Sequence, residues 1–350
     1  MDPVLPREYL SDHEYPLDPR QADHIVEAVS YYNTSLRESV IWLSRTEEKT
    51  VAIWASMARP FPRHTEKTLG YLDTLPLEIL LKILESIDLR SLFEFRNTTA
   101  RARQVVDSEK YRRAFEDGYI LFGALVKMEW WTKVSLYDIY KALRTSACEI
   151  CGEYGGFMSI LLWKRCCYMC LRTAPELRMQ SVTNVRKYYG VGKSQTNQLT
   201  QLQSLPGFYG MSNASQQPRI SVVSVNETAM FFGRPPPEPK MWEGPSKCNF
   251  IASCPLPFVH YDASSQPVIE LGVSCLGCYW AMSQKDIPTL SFKKDELCEK
   301  IYTRDGFLRH FQWCKPAQRM WKTPELLRPF ASIFIRDRGT DLLEDEGILQ

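Results

Sequence analysis

At 350 residues the chain is long enough for two or three domains, and with 44% hydrophobic and 12% aromatic residues it folds around cores rather than staying disordered. A net charge of +2 carries no electrostatic footprint of a nucleic-acid or membrane-surface binder. No apolar run approaches the ~20 residues of a membrane span, and Met1-Asp2-Pro3 with its early acids lacks the layout of a secretory signal. The expected setting is intracellular, cytoplasm or nucleus. There, eleven cysteines serve as thiols or metal ligands rather than disulfides.

Residues 1–20 are rich in proline and charge and read as extended. From Gln21 to Ser44, Ile25, Val29, Tyr32, Leu36, Val40 and Leu43 recur at helical steps. A second helix opens at Thr46-Glu47-Glu48, carries Val51, Trp54, Ala55 and Met57, and ends at Pro60 and Pro62. This N-terminal arm, 1–69, is expected to be a helical hairpin packed on the rest of the chain.

The stretch from Leu75 to Ile87 is the most informative. Pro76 suits a first helical turn, and Asp73 or Thr74 can cap it. At ~100° per residue, Leu77, Leu80, Leu81, Leu84 and Ile87 share one side, and Ile79 and Ile83 widen it. The apolar arc of roughly 200° exceeds the ~100° that one core needs, and the surplus is buried either deep in the chain's own domain, the commoner case, or against a partner protein; periodicity alone does not choose between them. Asp88 can cap a second helix with Leu89, Leu92 and Phe93. Asn97-Thr98-Thr99 can cap a third with Ala102, Val105 and Val106, followed by Tyr111 and Phe115. Such a trio over about 45 residues sits at the lower limit of independent stability.

Beyond it, Tyr119–Met128 is strongly apolar and leads to Trp130-Trp131, read as packing residues. Helices are expected over Leu136–Arg144 and Pro175–Tyr189, loop over 190–218, and a strand through Ile220, Val222, Val223 and Val225. A proline-rich linker spans Gly233–Lys247. A strand over Val268–Val273 runs into Cys275, a helix covers Asp305–Trp321, and a short helix precedes a disordered acidic tail, 336–350. The fold class expected is mainly α with small β elements, α+β.

Two cysteine sets stand out. Cys148-x-x-Cys151 and Cys167-x-x-Cys170 are separated by fifteen residues. A two-residue gap lets both thiolates of a knuckle face one ion, and two knuckles at this interval have the spacing of a structural zinc site. Cys166 is a spare, and Cys248 has no role. The second set is Cys275-x-x-Cys278 with His310 and Cys314, four apart on one helical face. Cys254 or Cys298 is an alternative fourth donor there. Both sets would be closed, with four protein ligands, whereas a catalytic zinc keeps a position for water. No motif of zinc hydrolases, deaminases or serine nucleophiles is present, and histidine stands only at 13, 24, 64, 260 and 310. The expectation is a non-catalytic protein.

The run LPLEILLKILESIDLRSLFEFRNTTARARQVV resembles an F-box over about residues 70–115. Arg96 stands where an apolar residue is usual, which bears on the packing of the third helix. The cysteine-bearing stretches that follow, CEICGEYGGFMSILLWKRCCYMCLRTAPE and GVSCLGCYWAM…YTRDGFLRHFQWCKPAQRMW, resemble those of fungal-type F-box proteins with a cysteine-rich body. The resemblance implies an adaptor of an SCF-type ubiquitin ligase. Leu75, Pro76, Ile79, Ile83, Leu84 and Leu92 would contact the Skp-type linker subunit. The zinc-stapled body, 116–335, would bind a target protein for ubiquitination. The competing reading is a zinc-ribbon nucleic-acid or chromatin-binding protein without a ligase role. It rests on Lys164, Arg165, Arg172, Arg178, Arg186 and Lys187 around the first knuckle, which a solvated face also explains.

Overall fold

The computed structural model describes residues 9–43, 68–107, 109–210, 215–236, 245–283 and 297–330. Helices dominate, joined by small antiparallel sheets, so the class is α+β as expected. The N-terminal apolar repeat is not one helix. It divides into α1 (Ala22–Val29), β1 (Ser30–Tyr31) and α2 (Thr34–Glu38), where Asn33 caps by accepting the Leu36 N–H. The break has a physical cause, because the two halves serve different cores. Ile25 and Val29 pack with the C-terminal helices, whereas Leu36, Val40 and Leu43 join the main core. The second arm helix and the acidic tail lie outside the described residues.

The expected trio follows as α3 (Leu77–Ser86), α4 (Leu89–Arg96) and α5 (Ala100–Val106), then α6 (Glu109–Asp117), α7 (Tyr119–Lys127) and α8 (Leu136–Arg144). Asp88 caps α4 through the Ser91 N–H at 3.0 Å, and Thr99 caps α5 through the Ala102 N–H at 3.0 Å. Pro76 is itself the N-cap of α3, one residue earlier than expected. Asp73 and Thr74 instead tie the preceding 3-10 turn: the Asp73 carboxylate accepts the Leu69 N–H, and the Thr74 hydroxyl donates to the Tyr71 carbonyl. Ser135 and Asp138 form a capping box on α8.

The trio does not stand alone. Leu80, Leu84, Leu89, Leu92, Val105, Val106 and Phe115 belong to one cluster with α7, α8, Phe157, Tyr168 and Phe250. Phe93, Phe115 and Phe122 meet with centroids 4.7 to 5.5 Å apart, and Trp131 lies 6.4 Å from Phe93. The tryptophans are thus packing residues, half-buried against the main core.

In the body, β2 (Phe157–Ser159) pairs with β3 (Lys164–Cys166) on one side and with Ser253–Pro255 on the other. α9 (Tyr168–Thr173) follows. The helix expected from Pro175 begins only at Val182, because β4 (Met179–Ser181) is taken into pairing with Ser221–Ser224 before α10 (Val182–Tyr189) starts. The expected loop over 190–218 holds α11 (Lys193–Thr196), β5 (Leu202–Gln203), β6 (Gly207–Tyr209) and β7 (Ser215–Gln217), strands too short to leave a periodic signal. Then come β8 (Ser221–Ser224), α12 (Val225–Phe232) and α13 (Pro245–Ile251), the last opening inside the expected linker.

β9 (Ser253–Pro255) completes the three-stranded sheet, and β10 (Phe258–Tyr261) forms a hairpin with β11 (Pro267–Glu270). β12 (Ser274–Cys275) pairs with β1, joining the chain's beginning to its end. α14 (Leu276–Ser283), α15 (Arg304–Phe311), α16 (Lys315–Lys322) and a 3-10 turn over Pro324–Phe330 close the fold. The single helix expected over Asp305–Trp321 breaks at Cys314, the N-cap of α16. Among the described residues no helix is long and apolar enough to cross a membrane.

Candidate docking edge and metal centres

The faces of α3 divide as its excess of apolar residues requires. Leu80 and Leu84 point into the core at 3% exposure, while Leu77, Ile79 and Ile83 keep 51%, 44% and 42% of their surface open. Ile79 and Ile83 are neighbours one turn apart. Pro76 is exposed and Leu75 half-buried at the helix entry. Two of the expected contact residues do not belong to this edge: Leu84 at 3% and Leu92 at 0% are core residues that hold α3 and α4 in place. Their apolar character signalled burial, and only the packing shows which side is buried. Tyr71 and Leu72, exposed in the turn ahead of α3, extend the edge. They precede the periodic stretch, so periodicity carried no sign of them.

Arg96, the departure from the usual pattern, is 3% exposed and makes a two-pronged pair with Asp107 at 2.5 and 2.8 Å. It ties the end of α4 to the end of α5. The third helix is therefore fastened by a buried ion pair as well as by the apolar contacts of Ala102, Val105 and Val106.

Each cysteine set converges on a point. The four donor atoms of Cys148, Cys151, Cys167 and Cys170 lie within 4.8 Å of one another, as do those of Cys275, Cys278, His310 and Cys314. Four sulfurs about 2.3 Å from one ion stand roughly 3.8 Å apart at tetrahedral angles. The observed Sγ separations are 3.6 Å for Cys151–Cys167, 3.8 Å for Cys275–Cys314 and 3.7 Å for Cys278–Cys314. Cys278 Sγ lies 3.4 Å from His310 Nε2. Backbone N–H groups support the knuckles: Ile150 donates to Cys148 Sγ, Cys170 to Cys167 Sγ and Cys278 to Cys275 Sγ. The other ring nitrogen, His310 Nδ1, sits 3.2 Å from Tyr302 Oη. Such a partner fixes a ligating imidazole's orientation.

Protonation follows the crowding. The Cys167 thiol holds Cys148 down to about 4 against its burial, and the same contact pushes Cys167 up. Burial raises Cys170 to about 12. In the second set burial works against the Cys275 thiolate, yet hydrogen bonds from Cys278 and Cys314 keep it well below the usual range, and Cys278 is pushed up by its neighbours. A divalent ion beside these sulfurs would favour all of them as thiolates. The donor sets fit a zinc-sized cation.

Fourth-donor alternatives fall away. Cys254 lies in β9 opposite Met158, and Cys298 meets the N-terminal segment through its carbonyl, which accepts from Asn33. His310 completes the second set. The helix that was to carry His310 and Cys314 on one face breaks between them, and Cys314 reaches the cluster from a cap position. Cys166 is buried in β3, outside the first cluster.

Three of the basic residues near the first knuckle are engaged within the chain, while Lys187 is exposed. Arg165, 1% exposed, donates to the carbonyls of Ala142, Leu256 and Pro257. Arg172 pairs with Glu299 at 2.7 Å, tying α9 to the segment before α15. Arg186 bonds Thr196 at 3.2 Å. The caging role of Arg165 has no local sequence signal, since its acceptors are far away in the chain.

Comparison with known families matches the F-box domain to residues 72–113. The chain thus carries an F-box domain, followed by a cysteine-rich body. No curated protein and no solved structure matches it.

Proposed function

We propose that this F-box-bearing chain is a substrate-recognition adaptor of an SCF-type ubiquitin ligase. One observation carries the reading: on an F-box first helix whose inner leucines are buried, Leu77, Ile79 and Ile83 remain open. Covering their exposed halves adds about 1 kcal/mol apiece at the usual transfer coefficient. The Skp-type linker subunit is the partner such an edge takes, with Leu75, Pro76, Ile79 and Ile83 in contact. The body, 116–335, holds a target protein. The chain acts by proximity, raising the target's local concentration at the ligase, and its own residues do no bond chemistry.

Zinc is the cofactor proposed for both clusters, with Cys148, Cys151, Cys167 and Cys170 at one and Cys275, Cys278, His310 and Cys314 at the other. Bound, it supplies folding free energy rather than catalysis, since four protein donors fill a tetrahedral ion. His310 would present Nε2 and donate its Nδ1–H to Tyr302.

Ile79→Asp with Ile83→Asp is expected to abolish co-purification with the Skp-type subunit while leaving the thermal melt unchanged, because both side chains face outward. Normal recovery of the subunit by this variant would refute the docking. Metal analysis is expected to give two zinc equivalents per chain.

A further inference from the structure

A concave site lies where the F-box helices meet the body. A cavity of about 370 Å³ opens between α6, the end of α8 and the β10–β11 hairpin. This is within the size range of side-chain and small-ligand pockets. Its charged lining is two arginines, Arg113 and Arg144, and one carboxylate, Asp117.

Arg144 is held in a fixed posture. Its guanidinium lies 4.1 Å from the ring centre of Tyr261 and 5.1 Å from that of Tyr140, and one of its amino groups donates to Tyr140 Oη at 3.2 Å. A guanidinium stacked on rings keeps a planar fork of donors that matches a carboxylate or phosphate, and little rotamer freedom is left to lose on binding. The hairpin wall is equally set. The Asp262 carboxylate accepts the N–H groups of Ser264 and Gln266 at 2.9 and 2.8 Å, fixing the turn that carries Gln266 to the rim.

Resting on the adaptor reading, we propose that this cavity is a target-recognition subsite for an anionic side chain, carboxylate or phosphate, presented by a peptide. Arg144 is the principal contact and Arg113 the supporting charge. A lining that is net positive with Asp117 counted, a preorganised fork and room for a side chain point to the same occupant.

The test uses the full-length chain and three fluorescent degenerate peptide pools, centred on phosphoserine, glutamate or serine, read by anisotropy. At least one anionic pool is expected to bind about tenfold more tightly than the serine pool, a difference of about 1.4 kcal/mol. The difference should shrink as salt is raised. Phosphoserine alone identifies a phosphate as the group taken; equal binding of glutamate identifies a carboxylate. Arg144→Gln is expected to erase the preference and Arg113→Gln to weaken it. Should Arg144→Gln melt early, Tyr261→Leu, at a ring that is 51% exposed, frees the guanidinium without touching the core and is expected to reduce the preference several-fold. Equal binding of all pools, or an undiminished preference in Arg144→Gln, overturns the proposal. Capture of the Skp-type subunit is scored on the same proteins. Its failure would strike the adaptor reading and leave the peptide result standing, and the reverse holds too.

Discussion

Gly277 occupies the knuckle Cys275-x-x-Cys278 for a spatial reason. A β-carbon there would lie 2.3 Å from the Ala317 nitrogen and 2.5 Å from its α-carbon, so the backbones of α14 and α16 touch at this point. Gly277→Ala must push α16, and with it Cys314, away from the cluster. It is expected to cost about 1–3 kcal/mol as overpacking and to weaken retention of the second metal, measured by thermal melts and zinc content. Arg96 and Asp107 offer a second single-residue test. The side chains are 3% and 6% exposed, and Arg103 Nε stands 3.4 Å from the same carboxylate, so removing the Asp107 charge leaves two cations without their anion. Asp107→Asn is expected to destabilise by about 3–5 kcal/mol in denaturant titration, whereas Arg96→Leu with Asp107→Leu should recover most of that loss. The unusual arginine was legible in the sequence, but its partner was not. Asp107 lies a helix away, and nothing local couples them.

At the scale of elements, α3 is where sequence and structure agree most closely. The excess of apolar arc was readable because helical periodicity is local, and the outward isoleucines are its physical expression. Which leucines turn inward was decided by α5 and α8, so Leu84 and Leu92 were assigned to the wrong side of the fold. The N-terminal repeat shows the opposite case. Its heptad-like spacing reads as one helix, yet Ser30 and Tyr31 pair with Cys275 and Ser274, and the helix stops. The same segment continues along the second donor cluster. Ser11 and Tyr15 donate to the carbonyls of Trp313 and Gln312 at 2.9 Å, and Leu10 bridges to Cys314 itself. Deleting residues 1–31 is therefore expected to lower the metal content by one equivalent while leaving binding to the Skp-type subunit intact, as metal analysis and pull-down on one preparation would show.

Across the whole molecule the two clusters differ in access. Cys151 is exposed and Cys167 half-buried, whereas Cys275, Cys278, His310 and Cys314 are each at most 2% exposed. A chromophoric chelator should draw metal in two phases, the fast one from the first cluster. Cys151→Ser should remove that phase and leave the slow one, and a single phase would show that access does not govern release. Because the ligands must lose protons to bind, both phases should quicken as pH falls. The slow phase reports on closure of the chain, since the second cluster sits between the N-terminal strand and the last helices. The Arg172–Glu299 pair then links that unit to α9 beside the first cluster.

Both donor sets were legible in the spacing of their cysteines, because two soft donors two residues apart can face one point whatever the rest of the chain does. The F-box helices were equally open to reading, since capping residues and apolar periodicity act within a few turns. Tertiary structure decided which of Cys254, Cys298 and His310 stands beside Cys275. It also decided that the F-box shares its core with the body, and that Arg165 and Arg172 meet backbone carbonyls and Glu299 of distant segments. These outcomes depend on segments brought together from far apart in the chain. Burial and pairing between such segments leave no local periodicity from which they could be foreseen.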